Sequence, residues 1–508
     1  MRPRIGTWGF GPHPWMSVER TRSFYARALA SDFELVDLDA AAAGALGPQV
    51  DAILSFHSSR WTAGPRPSDA PVVLAMHGGP VVDYPRLRDR LTHLRTDDTL
   101  LVNCSSDEDI VRDLCDGPGP RVVRLPLPVD TEVMAPYHRG DCRQELQLPE
   151  CDHVVGFVCR LVPQKNLHQF LRAFARIRDR MHPRRVVALV VGSFHTSYPI
   201  LDYGCAQYRA HIAGLVESLG LADDLVCFPA SLDDEDLAMA FSAMDVLLHP
   251  TSAVDENFGY VPVEAMACGV PVVGSAYGGL KDTIIAGQTG ALMPTWATRS
   301  GIRIDLEAGI AAVLDLLRDP AEHERMSTAA LQHATTQYSE TTCGQVLRQA
   351  FHETIAGHRQ GRGAAIVTTA APATTDPATT APATTAPTTT ASGSDLLPPT
   401  LPPWDDFLEP ARRYASGPPP RITEQTRLQW ATPLSRDTEG RLRLHDPAWP
   451  AALPAALQDD PWVERCATPV RAGTLARPGT PRWTRLQALV DDGLLVATVG
   501  AAQQGVAA

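Results

Sequence analysis

The chain has 508 residues, 44% of them hydrophobic, and a formal net charge of −13. That length exceeds what one hydrophobic core usually sustains, so it divides into two or three units, and the acidic balance speaks against a nucleic-acid backbone as the main partner. The longest purely apolar runs, such as residues 186–191, fall far short of the roughly 20 residues that cross a bilayer, so no transmembrane segment is expected, while peripheral membrane contact stays open.

The opening residues, Met1-Arg2-Pro3-Arg4-Ile5-Gly6, lack the apolar core of a secretory signal, and the expected compartment is the cytoplasm. The ten cysteines form no C-x-x-C pair, so neither disulfides nor a bound metal are expected. Of 45 basic residues only two are lysine, Lys165 and Lys281. In a chain that writes its positive charge as arginine, a retained lysine points to a place where a compact ammonium is needed.

Residues 1–140 alternate short β-rich runs (4–8, 33–37, 52–55, 72–77, 100–103) with a helical pattern at 17–30, which reads as a parallel α/β sheet. A second series begins at 153–160 (HVVGFVCR). It continues with a helical pattern at 167–181, a strand at 186–192, and further helix and strand segments to 274. The expectation is two Rossmann-like parallel α/β domains, residues 1–145 and 146–365, with a cleft between them. At residue 366 the composition shifts to Thr, Ala and Pro, with a five-residue repeat from Pro372, and residues 366–394 read as a flexible linker. Residues 395–508 carry five of the nine tryptophans and read as a tethered region that could recruit a protein partner. Within it, 483–499 has the pattern of a helix, a turn at Asp492-Gly493 and a strand.

The densest constellation is HPTSAVDENFGYVPVEAMACGVPVVGS, residues 249–275. A buried-strand pattern at 245–249 is followed by a loop with Asp255, Glu256 and Asn257, then a helical segment ended by Gly269 and Pro271. The amides of Phe258, Gly259, Tyr260 and Val261 fall at that helix's N-terminus, where unpaired N–H groups and the helix dipole favour a phosphate. Glu256 and Glu264 beside such a turn suit a polyol, because a carboxylate accepts from two hydroxyl donors.

These residues, with Gly278-Gly279 and Gly287-Gln288-Thr289-Gly290 after them, resemble the E-x7-E region of retaining family-4 glycosyltransferases of the GT-B fold. Residues 156–166 (GFVCRLVPQKN) resemble that family's Gly-x-x-x-Arg…Lys segment. The resemblance implies transfer of a hexosyl unit from a nucleotide-diphosphate sugar to an acceptor hydroxyl on a natural product, lipid or glycan. It implies Arg160 and Lys165 as the cations that meet the leaving diphosphate, and Glu256 and His77 as further catalytic residues, His77 following the strand at 72–76. It also implies Glu264, residues 258–261, Gly11 in the Gly9-Phe10-Gly11 turn, and Phe228 on the donor-binding side. No cofactor beyond the donor and no metal is implied, and the arginine, alanine and proline bias suggests a bacterial source. A non-catalytic sugar-nucleotide-binding or scaffold protein, a sugar-nucleotide epimerase and a polysaccharide phosphorylase stay open as rival readings.

Overall fold

The structure, a computed structural model, describes residues 2–13, 16–38, 49–56, 68–195, 205–229, 232–361, 365–369, 404–436, 440–444, 446–449, 451–453, 457 and 460–498. Most of the expected linker, the beginning of the C-terminal region, Val499 and part of the segment after Gly192 lie outside these residues.

Two six-stranded parallel sheets form the body. The first comprises β1 (Arg4–Trp8), β2 (Glu34–Asp37), β3 (Ala52–Ser55), β4 (Val72–Ala75), β5 (Thr99–Val102) and β6 (Arg121–Arg124), in the order 2-1-3-4-5-6. The second comprises β7 (His153–Val158), β8 (Val186–Val191), β9 (Leu225–Phe228), β10 (Val246–His249), β11 (Val272–Ser275) and β12 (Gly290–Met293), in the order 12-11-10-7-8-9. Central strands such as VVLA and VVALVV are buried along their whole length, as parallel strands covered on both faces must be. The strand order reverses beside β1 in the first sheet and beside β7 in the second. At such a switch point the loops leaving the carboxyl ends diverge and open a crevice.

The two halves do not divide at residues 145 and 365. The helix Arg139–Glu145 already belongs to the second half: Arg139 and Arg143 both bind Asp245, at 3.0 and 2.6 Å, and Cys142 is buried in that half's core. The helix Glu340–Arg359 returns to the first half, where Cys343, Leu347, Ala350, Phe351 and Ile355 share a core with Phe24, Tyr25, Leu29 and Phe33. Its apolar residues fit the helix Met16–Ala30, and Arg27 pairs with Glu340 at 2.8 Å. The chain stays on the first half as far as Thr369: Ile366 and Thr369 bridge Arg95 and Cys115, and Val367 is buried beside Leu94 and Leu114. The first residues assigned to the linker are therefore docked structure.

The C-terminal region is also built into the body. The helix Asp405–Tyr414 lies against both halves, placing Phe407, Ala411 and Tyr414 in one cluster with Leu87, Ile110, Tyr277 and Ala297. Lys281 donates to the carbonyls of Arg413 and Ala415, each at 3.2 Å, and so caps that helix's C-terminal end. Trp404 donates to Thr298 O at 2.7 Å, and Trp449 donates to Ser252 Oγ at 2.9 Å. Beyond this strap, two three-stranded antiparallel sheets and the helix Pro481–Asp491 enclose a separate core of Leu428, Trp430, Trp462, Val463, Leu486 and Leu495. The helix, left-handed turn at Gly493 and strand Leu495–Thr498 occur where the sequence pattern placed them.

Candidate active site

The site's chemistry starts at the end of β7. The chain leaves that strand through Cys159 and Arg160, makes a tight turn at Pro163–Lys165, and enters the helix Leu167–Met181 through Asn166, whose φ of 62° is left-handed. Asn166 tolerates that conformation because its side chain is anchored, donating to Pro250 O and Ser252 Oγ, both at 2.8 Å. The anchor ties the Lys165 turn to the loop after β10.

That loop delivers Glu256, which is buried, hydrogen-bonds to the Lys165 ammonium and accepts from Thr251 Oγ1 at 3.0 Å. Burial pushes the Glu256 carboxyl upward, but Lys165, His249 and the two hydrogen bonds outweigh it and hold the group at about 2. Lys165 is shifted upward by Glu256 against the opposing effect of burial, so the pair is charged at neutral pH. His249 Nε2 lies 4.0 Å from Glu256; burial drives this imidazole down to about 4, so it is neutral. Burial likewise lifts the Cys159 thiol to about 12, leaving it inert.

Gly278 and Gly279 explain how the Glu256 loop keeps its shape. Gly279 N donates to Glu256 O at 2.9 Å. A Cβ on Gly278, whose φ is 52°, would lie 1.9 Å from that same carbonyl oxygen. Gly259 (φ 86°) then turns the chain into the helix Tyr260–Ala267, whose N-terminus has no side-chain cap among the described residues. Phe258, Gly259, Tyr260 and Val261 accordingly line the cleft with a helix end whose first-turn amides have no partner within the helix.

The cleft has a volume of about 400 Å³ and is walled by both halves. Arg160, Lys165, His249, Asp255 and Glu256 come from the second half, while His13, Ser17, Thr21, His77, Gly78 and Asn103 come from the first. His77 packs its ring 4.2 Å from that of Phe56 and edge-on to Tyr25. Arg160 is exposed in the cleft and makes no ion pair among the described residues. Polar contacts cross between the halves: Asn257 to Asn103 at 2.9 Å, Thr21 to Tyr260 at 2.8 Å, and Ser105 to Asp282 at 2.9 Å.

Three residues expected on the donor side do not line this cleft. Glu264 does not line the cleft; it is buried beneath Arg20 of the first half, 2.8 Å away, and Arg20 also binds Asp234. Burial raises the Glu264 carboxyl although Arg20 opposes the shift. On an eight-residue helix the side chain eight positions after Glu256 turns toward the neighbouring helix Met16–Ala30, and an arginine there answers it. Gly11 is exposed outside the cleft wall, and His13 stands there instead. Phe228 lines a separate, smaller cavity of about 170 Å³ with Leu161, Gly192 and Phe194. Residues 196–204, between β8 and β9, and Ala230 lie outside the described residues.

Sequence reasoning gave no role to His249, Thr251, Asn257 or Asn103. The first three were legible as polar residues flanking Glu256 at a strand end; Asn103, at the end of β5, had no motif around it. Among the described residues, no group of three His, Cys, Asp or Glu side chains is arranged to hold a metal ion, and no helix is long and apolar enough to cross a membrane.

Residues 139–333 match the family model described as glycosyl transferases group 1. A D-inositol 3-phosphate glycosyltransferase of Stackebrandtia nassauensis is 33% identical over 241 residues, covering 47% of this chain and 50% of the relative. A GDP-mannose-dependent alpha-(1-6)-phosphatidylinositol monomannoside mannosyltransferase of Mycolicibacterium smegmatis is 30% identical over 254 residues, 49% of this chain and 59% of the relative. The chain thus spans about half the length of the curated relatives it matches. Among solved structures, sucrose-phosphate synthase from Thermosynechococcus elongatus aligns with a TM-score of 0.54 at 19% identity, over 70% of this chain and 100% of that one. Anabaena HepE in complex with UDP and glucose aligns with a TM-score of 0.51 at 17% identity, over 69% and 100%. These structural likenesses show the shared fold.

Proposed function

From a chain that folds as a two-domain GT-B protein and carries a group 1 glycosyl transferase domain, we infer a glycosyltransferase that moves a hexosyl unit from a nucleotide-diphosphate sugar to an acceptor hydroxyl with retention of configuration. The observation that carries this reading is one cleft wall on which Lys165, fixed by Glu256, stands with the exposed Arg160 and the N-terminus of the helix Tyr260–Ala267.

In this reading Arg160, Lys165 and the amides of residues 258–261 take up the charge that develops on the departing diphosphate. They are already oriented before the reaction, so little reorganisation opposes them. Glu256 positions the ammonium and keeps it protonated. His77 and His13, across the cleft, face the transferred sugar and the acceptor. Retention follows if the acceptor hydroxyl enters on the face the diphosphate leaves and a phosphate oxygen takes its proton, which requires no pair of catalytic carboxylates. Glu264 acts through Arg20 on the closure of the two halves, and Phe228 marks the side on which the donor's base would lie. The reading invokes no metal, and donor turnover should persist in EDTA. It places the reaction in the cytoplasm, and the bacterial relatives favour a bacterial source.

The test is release of free nucleoside diphosphate from a donor panel. GDP-mannose, named for the mannosyltransferase relative, and UDP-glucose, bound in a HepE structure, come first, with D-inositol 3-phosphate among the acceptors. One donor should be turned over and the product should keep the donor's anomeric configuration by NMR. An inverted product would refute retention, and no turnover of any donor would refute the transferase reading.

A further inference from the structure

Behind the catalytic wall is a second cavity of about 350 Å³, between the second half and the C-terminal module. Its size and its place at a domain junction are those of a small-molecule site. One wall is the helix Leu167–Met181, which presents Arg172 and Arg176; the opposite wall presents Trp430, Thr432 and Asp446.

Most charges around it are satisfied internally. Arg176 pairs with Glu307. Asp446 accepts from the amides of Ala448 and Trp449 at 2.8 and 3.2 Å and faces His168 Nε2 at 3.4 Å. Arg303 donates to the carbonyls of Gly493, Ile302 and Ser300. Four buried atoms here have no hydrogen-bond partner among the described residues; Glu307 Oε1 and His168 Nε2 face Arg176 and Asp446, which leaves the buried Arg172 Nε and the Thr432 hydroxyl, on a residue only 4% exposed, with nothing to meet them. Buried polar groups left in this state are rare and destabilising. A guanidinium and a hydroxyl, both donors, together call for an oxyanion. Because Asp446, Glu307 and Asp179 line the same cavity, a second negative charge on the ligand would be repelled. The rest of the lining includes Trp430, Ile304 and Leu306, an apolar bed for the ligand's body.

We propose that this cavity binds a small molecule bearing one carboxylate on a largely apolar body, with the carboxylate held by Arg172 and Thr432. Its floor is formed by Asn166 and Ser252, the residues that tie the Lys165 turn to the Glu256 loop. Occupancy is therefore felt at the anchor that joins the two segments carrying the catalytic pair.

Binding is tested on the full chain by calorimetry, with phenylacetate and indole-3-acetate as probes, phenylacetamide as the uncharged counterpart, and inorganic phosphate as the multivalent anion. At least one acid should bind with one-to-one stoichiometry, at least tenfold more tightly than the amide or phosphate. Arg172→Gln should weaken it at least tenfold and Thr432→Val at least threefold, whereas Arg160→Ala, in the other cleft, should leave it unchanged. Absence of binding by both acids, equal binding of the amide or of phosphate, or full affinity in both Arg172→Gln and Thr432→Val would overturn the proposal. None of these readouts requires transferase activity, so this site and the transferase reading fail separately.

Discussion

The second half and the C-terminal region contrast in how they are held. In the second half, the site joins two segments 91 residues apart, each of which carries its own local signals: a strand end and a left-handed residue beside Lys165, and a glycine pair that shapes the Glu256 loop. The C-terminal region is fixed by what it buries against others. Trp404, Tyr414 and Trp449 find their partners, Thr298, Asp107 and Ser252, more than a hundred residues away in sequence. Local rules can place the first kind of structure, whereas only the folded whole reveals the second.

Removing Lys165 should separate the two regions most sharply. Lys165→Ala leaves Glu256 buried without its cation, a loss of about 3–5 kcal/mol by the usual cost of breaking a buried pair, and donor turnover should fall at least a thousandfold. In Lys165→Ala/Glu256→Ala, chemical denaturation should show much of that stability returning while turnover stays lost. Recovery of activity in the double variant would show the pair to be structural only.

Acid should expose the same pair. Because the Glu256 carboxyl is held at about 2 instead of its ordinary 4.5, its contribution is complete above pH 4.5 and is lost as the pH falls from there toward 2. Its size is on the order of 3 kcal/mol, since each pH unit separating the folded and unfolded carboxyl is worth about 1.4 kcal/mol. Urea unfolding at pH 7 and pH 3 should show a larger drop for the wild type than for Glu256→Gln. Equal drops would mean that Glu256 has no depressed pKa.

The C-terminal strap predicts a smaller effect of a different kind. Tyr414 donates its hydroxyl to Asp107, whose carboxyl burial raises to about 6 against the pull of that hydrogen bond. Tyr414→Phe should cost about 1–3 kcal/mol, the penalty when a buried acceptor loses its donor, seen as a lowered melting temperature of the whole body and not of the C-terminal module alone. An unchanged transition would return residues 404–417 to the status of a detachable tether. Arg20→Ala leaves the buried Glu264 without its arginine, which should cost about 1–3 kcal/mol while raising the KM for donor more than it lowers kcat.

The sequence made the two-sheet α/β plan and the Lys165–Glu256 wall legible because buried parallel strands are continuous apolar runs and the loops between them carry Gly, Pro and charge in dense array. It did not reveal β6 or β12, both edge strands of four residues: arginines bracket the apolar pair of RVVR, and GALM opens on a glycine and is followed at once by Pro294. Nor did it reveal the return of the helix Glu340–Arg359 to the first half, since an amphipathic face shows that a helix packs without showing against what. The setting of Glu264 was hidden for a similar reason: spacing located it on the helix, but the arginine it pairs with lies 244 positions earlier.

Arg160 offers the cleanest test of the cleft as a diphosphate site, because it is exposed and makes no ion pair among the described residues. Titration of the donor's nucleoside diphosphate into wild type and Arg160→Ala should show affinity reduced at least tenfold with the melting temperature of the free protein unchanged. Undiminished affinity in Arg160→Ala would contradict the account, because the diphosphate would then lie somewhere other than this wall.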